Sequence, residues 1–219
     1  MTRLSGPMLA PAQGAAPDSV VVLLHGYGSD GHDLIGLAPH WQDLLPGALF
    51  VSPHAPEPLG MGGFQWFAID WTGDRLASRQ TGVTGARPVL DGFLEDLWAQ
   101  TGIRPERTLL AGFSQGAMMA LHAGTALQAD RQLMGIIGFS GAFLPPPGFG
   151  GPELAKPPVC LVHGDRDEVV DPDLSAEAER VLRQAGFDVA YHVSPGTGHG
   201  IAPDGLAFAR DFIAGLAKK

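Results

Sequence analysis

The chain has 219 residues, 45% of them hydrophobic, with a formal net charge of −9 and a single cysteine. That length suits one domain with a substantial core. The acidic balance argues against nucleic acid as a partner, because phosphate binding needs a positive surface, and against a basic membrane-binding face. The lone Cys160 excludes an intrachain disulfide and, inside an apolar run, reads as a buried core thiol.

Residues 1–19 carry one arginine and many Pro, Ala and Gly, without a continuous apolar stretch. They read as neither signal peptide nor membrane anchor, so a cytoplasmic protein is expected, with no membrane insertion. Val20–Leu24 is the first strong element, five consecutive apolar residues predicting a strand covered on both faces. It enters the glycine-rich turn His25-Gly26-Tyr27-Gly28-Ser29-Asp30-Gly31. Ser29 or Asp30 can cap a helix expected over roughly Asp33–Leu45, which Pro46-Gly47 ends. Ala48–Val51 is a second short strand. His54–Asp74 is expected to be a long loop. Its Met61, Phe64, Trp66, Phe67, Ile69 and Trp71 suit either an apolar pocket wall or a satellite cluster beneath the loop.

Arg87–Gln100 carries Val89, Leu90, Phe93, Leu94, Leu97 and Trp98 at helical spacing, with Glu95 and Asp96 on the solvated side. A strand then begins near Thr108 and stops abruptly at Gly112-Phe113-Ser114-Gln115-Gly116, and an apolar helix runs from Gln115 to about Leu127. Strand, sharp turn and helix around Gly-x-Ser-x-Gly is the context of a nucleophile elbow, where the crowded backbone needs small flanking residues. Gly135–Phe139 is the next strand. Ser140 follows it in a superficially similar turn, but its second glycine is misplaced and prolines replace the helix, which argues against a second nucleophile. Pro158–Val162 predicts another buried strand, leading into His163-Gly164-Asp165-Arg166-Asp167. A helix over about Ser175–Ala185, a strand over Val189–Val193, the loop Gly198-His199-Gly200 and a helix from Pro203 or Asp204 to Leu216 complete the chain. Strands alternating with helices predict an α/β fold with a mostly parallel sheet.

Serine becomes a useful nucleophile when a histidine takes its proton and a carboxylate orients that histidine. On folds with this elbow the order is serine, acid, histidine. His122 lies inside the elbow helix, His163 precedes any free acid and His192 sits within a strand. His199, in a glycine-flanked loop after the last strand, remains as the base. The acid belongs to the preceding strand's end, where Asp165 and Asp167 both qualify by spacing. No His/Asp grouping has convincing metal-ligand spacing, so neither metal nor cofactor is expected.

Leu24-His25-Gly26-Tyr27-Gly28, Gln65-Trp66-Phe67, Gly112-Phe113-Ser114-Gln115-Gly116, His163-Gly164-Asp165-Arg166-Asp167 and Gly198-His199-Gly200 span nearly the whole chain. Together they resemble the phospholipase/carboxylesterase branch of the α/β-hydrolases, which includes acyl-protein thioesterases and small bacterial carboxylesterases. The resemblance implies a central, mostly parallel twisted sheet with helices on both faces, and a small-molecule ester as substrate. It implies Asp167 as the acid and the backbone amides of Tyr27 and Gln115 as the oxyanion hole. It places Trp66, Phe143 and Leu144 beside the acyl pocket. Tyr27 stands where many relatives carry an aliphatic residue, which bears on substrate size. Such relatives are often dimers, so a homodimer is the assembly the resemblance allows. The expected activity is hydrolysis of short- to medium-chain carboxylic esters. Acyl-protein thioesterase or lysophospholipase activity is the alternative within the class, and a non-catalytic binding protein on the same fold is the alternative outside it.

Overall fold

The computed structural model describes every residue except 1–3, 13, 15, 61, 71 and 218–219. Met61 and Trp71, expected in the long loop, therefore lie outside the described residues. The described strands are β1 (Met8–Leu9), β2 (Ser19–Leu24), β3 (Ala48–Val51), β4 (Glu57–Pro58), β5 (Phe64–Gln65), β6 (Thr108–Phe113), β7 (Gly135–Phe139), β8 (Val159–Gly164) and β9 (Val189–Ser194). The α-helices are α1 (Gly31–Leu34), α2 (Ala38–Trp41), α3 (Arg75–Thr101), α4 (Gln115–Gly124), α5 (Asp173–Gln184) and α6 (Pro203–Leu216).

Seven strands form one sheet in the order β1-β3-β2-β6-β7-β8-β9, parallel throughout except for antiparallel β1. Alternation along each strand sends side chains to two separate cores. Val20, Val22, Leu110, Ile136 and Leu161 pack with Val83 and Leu90 of α3, Met118 of α4 and Leu182 of α5. Val21, Leu23, Leu109, Ile137 and Val162 pack with Leu34 of α1, Trp41 of α2 and Ile213 of α6. Both faces are therefore covered, which is why the strands read as unbroken apolar runs. Cys160 is fully buried, and burial pushes its thiol up to about 12.

The structure differs from expectation in four places, one of them the antiparallel β4–β5 pair inside the segment 54–74 that was expected to be a loop. The helix expected over Asp33–Leu45 is broken into α1, a 3-10 turn over Ile35–Leu37, and α2, which ends at Trp41. Pro39 has no amide to continue a helix, and Gly36 weakens the turn before it. In contrast, α3 begins at Arg75, twelve residues before the predicted start, and continues through Gly82, Gly85 and Pro88. Asp74 caps it by accepting from the amides of Leu76 and Ala77 (3.0 and 3.1 Å). A side chain at Gly82 would collide with the Phe67 ring, so the glycine is required by packing. Finally, β1 was not expected. Its two residues pair with Val51 and Phe50 at the sheet edge.

The sheet aligns the carboxyl ends of β2, β6, β7, β8 and β9 along one edge, and every turn singled out above leaves from that edge.

Candidate active site

Ser114 occupies the apex between β6 and α4 with φ 53° and ψ −116°, a conformation that costs a non-glycine residue energy and persists where the surroundings enforce it. They do so here. The Ser114 amide donates to the Phe139 carbonyl (2.8 Å), a Cβ on Gly112 would collide with the Gly116 backbone, and one on Gly116 would collide with the Leu24 carbonyl. Ser140, at the end of the adjacent β7, is the other described non-glycine residue with positive φ (48°). Its hydroxyl is buried and points toward the Gly200 carbonyl at 3.4 Å, in the loop that carries His199.

His199 Nδ1 lies 2.7 Å from Asp167 Oδ2, and its Nε2 lies 3.0 Å from Ser114 Oγ. A carboxylate accepts, so Nδ1 carries the proton and Nε2 is left to accept from the serine hydroxyl. The Phe113 ring packs on the imidazole, with centroids 4.9 Å apart. Asp167 is buried, and its Oδ1 accepts from the amides of Val169 and Val170 (2.8 and 2.9 Å). Burial alone pushes this carboxyl up. The hydrogen bonds from His199, Val170 and Val169 outweigh it and hold the group below the usual carboxylate range.

Asp165 is placed differently. Its Oδ1 accepts from the Gly196 amide (2.6 Å), and the neighbouring Arg166 amide donates to the Thr197 carbonyl (2.9 Å). These bonds lace the β8 turn to the loop that presents His199. The two aspartates, equal by spacing, thus divide the work: Asp167 faces the imidazole and Asp165 fastens the loop.

His163 is a partner that the sequence did not reveal. Its Nε2 lies 3.0 Å from the same Asp167 Oδ2 and 2.9 Å from the Val170 carbonyl, so that nitrogen donates to both. Its Nδ1 lies 2.6 Å from Ser175 Oγ, which in turn lies 3.1 Å from the Gly141 carbonyl. The ring is fully buried, and burial lowers its pKa, favouring the neutral form. The available signal was a histidine four residues before Asp167 across a tight turn.

His25 and Gln115 shape the neighbouring turn. His25 Nε2 accepts from the Ala55 amide (2.9 Å), which leaves Nδ1 to donate to the Gly26 carbonyl (2.8 Å), and burial lowers its pKa. A Cβ built on Gly26 would sit 3.4 Å from Ser114 Cβ, so the turn carrying Tyr27 borders the serine. Gln115 is the first residue of α4. Its side chain accepts from the Trp66 amide (2.8 Å) and donates to the Phe67 carbonyl (2.7 Å). Trp66 is buried, with its indole N–H donating to the His25 carbonyl (2.9 Å). Leu144 is buried, with its carbonyl accepting from His122 Nδ1 (2.6 Å), while the partly buried Phe143 meets Phe149 edge-on at 4.8 Å. A groove of about 820 Å³ runs between the 56–74 loop and α3; Trp66 and Phe67 line it, whereas Ser114, His199, Phe143 and Leu144 do not.

Asp30, His32 and His54 bring one ligand atom each within 4.8 Å of one another. Two of them are occupied in the fold. Asp30 Oδ1 caps α1 through the His32 amide (2.7 Å), and His54 Nδ1 accepts from the Gly31 amide (3.1 Å). Ligation through His54 Nε2 would require a proton on that same Nδ1, so the grouping fits a capped turn better than a metal centre.

Comparison with known proteins gives a consistent set of likenesses. A model of the phospholipase/carboxylesterase family matches residues 10–217. The acyl-protein thioesterase 1 of Gibberella zeae is 30% identical over 94% of this chain and 94% of its own length. Esterase YpfH of Escherichia coli is 32% identical over 89% of this chain and 81% of its own. The crystal structure of esterase PE8 is 49% identical and superposes with a TM-score of 0.92, covering 98% of this chain and 99% of that one.

Proposed function

This chain belongs to the phospholipase/carboxylesterase family, and we propose that it is a serine carboxylesterase acting on short- to medium-chain carboxylic esters. Ser114 is the nucleophile, His199 the general base and Asp167 the carboxylate that orients it. The observation that carries this reading is the continuous relay from Ser114 Oγ through His199 to Asp167, with links of 3.0 and 2.7 Å. Ser114 attacks the ester carbonyl as its proton passes to His199 Nε2. The same nitrogen protonates the leaving alcohol, and water then releases the acyl group by the reverse transfer. Asp167 stays ionised throughout and stabilises the imidazolium that forms at each transfer.

The backbone amides of Tyr27 and Gln115 receive the charge that develops on the carbonyl oxygen. Two placements support that role. Gln115 opens α4, whose first-turn amides have no partner in the helix and whose dipole favours negative charge there. Tyr27 follows Gly26, which lies against Ser114. Exposed Tyr27 stands at the rim, so its side chain bears on which esters enter.

A thioesterase reading uses the same residues, and the Gibberella relative gives it weight. Rates across an acyl-chain series of esters and matched thioesters decide between them. For the chemistry itself, Ser114→Ala is expected to lower turnover of p-nitrophenyl butyrate by roughly 10⁴- to 10⁶-fold and to abolish labelling by a fluorophosphonate. Near-normal hydrolysis by that variant would overturn the assignment, and a wild-type protein that the probe does not label would revive a non-catalytic role.

A further inference from the structure

The inward stripe of α3 reads Arg79, Val83, Ala86, Leu90, Leu94 and Leu97. It is apolar along its length except where it begins. Arg79 is 6% exposed, and its Nε is buried without an acceptor. Another cation, Arg75, lies close enough to act against its charge. A guanidinium N–H buried without an acceptor is costly, because that N–H has left water and received nothing in exchange. The first turn of α3 contains no acidic residue to offset that cost.

The fold puts this charge at the catalytic end of the molecule. Trp98 Nε1 donates to Thr108 Oγ1 at the start of β6 (2.8 Å), fixing the level of α3 against the strand. From Trp98 back to Arg79 the helix rises ~29 Å. From Thr108 to Ser114 the strand rises ~20 Å. α3 and β6 are joined by the short segment 102–107 and run in opposite senses, so the start of α3 lies toward the end of the sheet that carries Ser114. Its neighbours agree. Gln80 Nε2 donates to the Pro145 carbonyl (3.2 Å), just after Phe143 and Leu144. Gly82, one turn on, receives the ring of Phe67, whose carbonyl is held by Gln115 beside the nucleophile.

We propose that Arg79 is a recognition group for a carboxylate at the far end of the acyl chain, so that the preferred substrates are half-esters of dicarboxylic acids. The inference rests on the esterase reading above and names its substrate class. A planar guanidinium fork matches a carboxylate with two parallel hydrogen bonds. One buried positive charge balances a monoanion, whereas a phosphate dianion would carry a second, unmatched charge inside.

Ethyl hexanoate and monoethyl adipate share a six-carbon acyl chain and differ by the terminal carboxylate. Wild-type kcat/KM is expected to favour monoethyl adipate. Arg79→Gln is expected to lower that value roughly 10- to 100-fold, the scale of a charge-assisted pair, while ethyl hexanoate stays within about threefold. Arg79→Lys recovers part of the loss, since it restores charge without the fork. A binding readout needs no turnover: monoethyl adipate raises the melting temperature of Ser114→Ala, and the rise disappears in Ser114→Ala/Arg79→Gln. An unchanged ratio of the two esters in Arg79→Gln overturns the proposal, as does an equal fall in both. A preference for 1-butanoylglycerol 3-phosphate over monoethyl adipate that Arg79→Gln removes overturns the carboxylate assignment in favour of phosphate. Wild-type protein that hydrolyses neither ester overturns the esterase reading instead, and the melting shift of Ser114→Ala then still decides whether Arg79 binds a carboxylate.

Discussion

At the scale of single residues, the site turns on what Asp167 holds and what holds Asp167. Its carboxylate accepts from two backbone amides and, on one oxygen, from two histidines. Asp165, two residues earlier, is spent on the Gly196 amide. Asp167→Asn is therefore expected to lower kcat by about 10⁴-fold, the effect of losing the correct imidazole tautomer. Asp165→Asn keeps an oxygen that can accept from Gly196 and should stay within about tenfold of wild type. Steady-state kinetics on one soluble ester compares them, and the reverse order would exchange their roles. His163 is a positioning residue acting through Asp167, since it does not touch Ser114. His163→Phe removes one of two donors from Asp167 Oδ2 and lets the carboxylate turn. A fall in kcat of roughly 10- to 100-fold is expected, on the scale seen when the outer partners of functional histidines are removed at metal centres. KM should hold, and His163→Gln, which keeps an N–H donor, should recover part of the rate. A well-folded His163→Phe with wild-type kcat would show the second histidine to be packing alone.

At the scale of elements, the fastening of the 54–74 loop to α4 is the joint on which the site depends. The Gln115 side chain satisfies the Trp66 amide and the Phe67 carbonyl together, and both lie in buried surroundings. Gln115→Leu keeps the volume but orphans both groups, at about 1–3 kcal/mol each. A melting temperature lower by roughly 5–15 °C is expected for a chain of this length. A drop smaller than about 2 °C by circular dichroism would mean that the loop is held elsewhere. The same joint shows what was legible beforehand. Gly-x-Ser-x-Gly announced the turn because small residues are a steric demand visible in any sequence. The buried strands were legible because a sheet covered on both faces needs continuous apolar runs. The Gln115 cross-tie was not legible, because nothing in a glutamine says which distant backbone it will satisfy. The start of α3 was hidden for two reasons. Gly82, Gly85 and Pro88 are poor helix formers, accommodated here through Phe67 and the core. The first inward position is also an arginine, so hydrophobic periodicity is silent where the helix begins. The break between α1 and α2 was masked in the opposite way. Leu34, Leu37 and Trp41 keep helical spacing while Gly36 and Pro39 interrupt the backbone.

At the scale of the whole molecule, three fully buried histidines from three elements couple the fold to pH. They are His25 after β2, His122 in α4 and His163 in β8. Burial lowers the pKa of each below the ordinary histidine value, and Arg87 adds to the effect at His122. The folded chain thus binds fewer protons than the unfolded chain at mildly acid pH. Stability from these groups is complete above the unfolded histidine value near ~6.5 and erodes as pH falls below it toward the folded values. Each histidine that stays neutral in the native state adds a slope of up to about 1.4 kcal/mol per pH unit. Asp167, held below the usual carboxylate range, acts in a separate window. Its contribution persists down to the carboxylate region near ~4 and is lost beneath it. The net charge of −9 works against the histidines, because protonation relieves self-repulsion as the medium acidifies. Salt at about 0.2 M screens that long-range effect while leaving buried groups largely unscreened. Urea unfolding in such a buffer is therefore expected to give constant stability from pH 8 to 7 and a steady loss from 6.5 to 5. His122→Asn removes one of the three protons taken up on unfolding, so its slope across that window should be shallower by about a third. Equal unfolding free energies at pH 7 and pH 5 would mean that the buried imidazoles accept protons in the folded state. The relay around Asp167 would then carry a positive charge on His163 that its buried surroundings oppose.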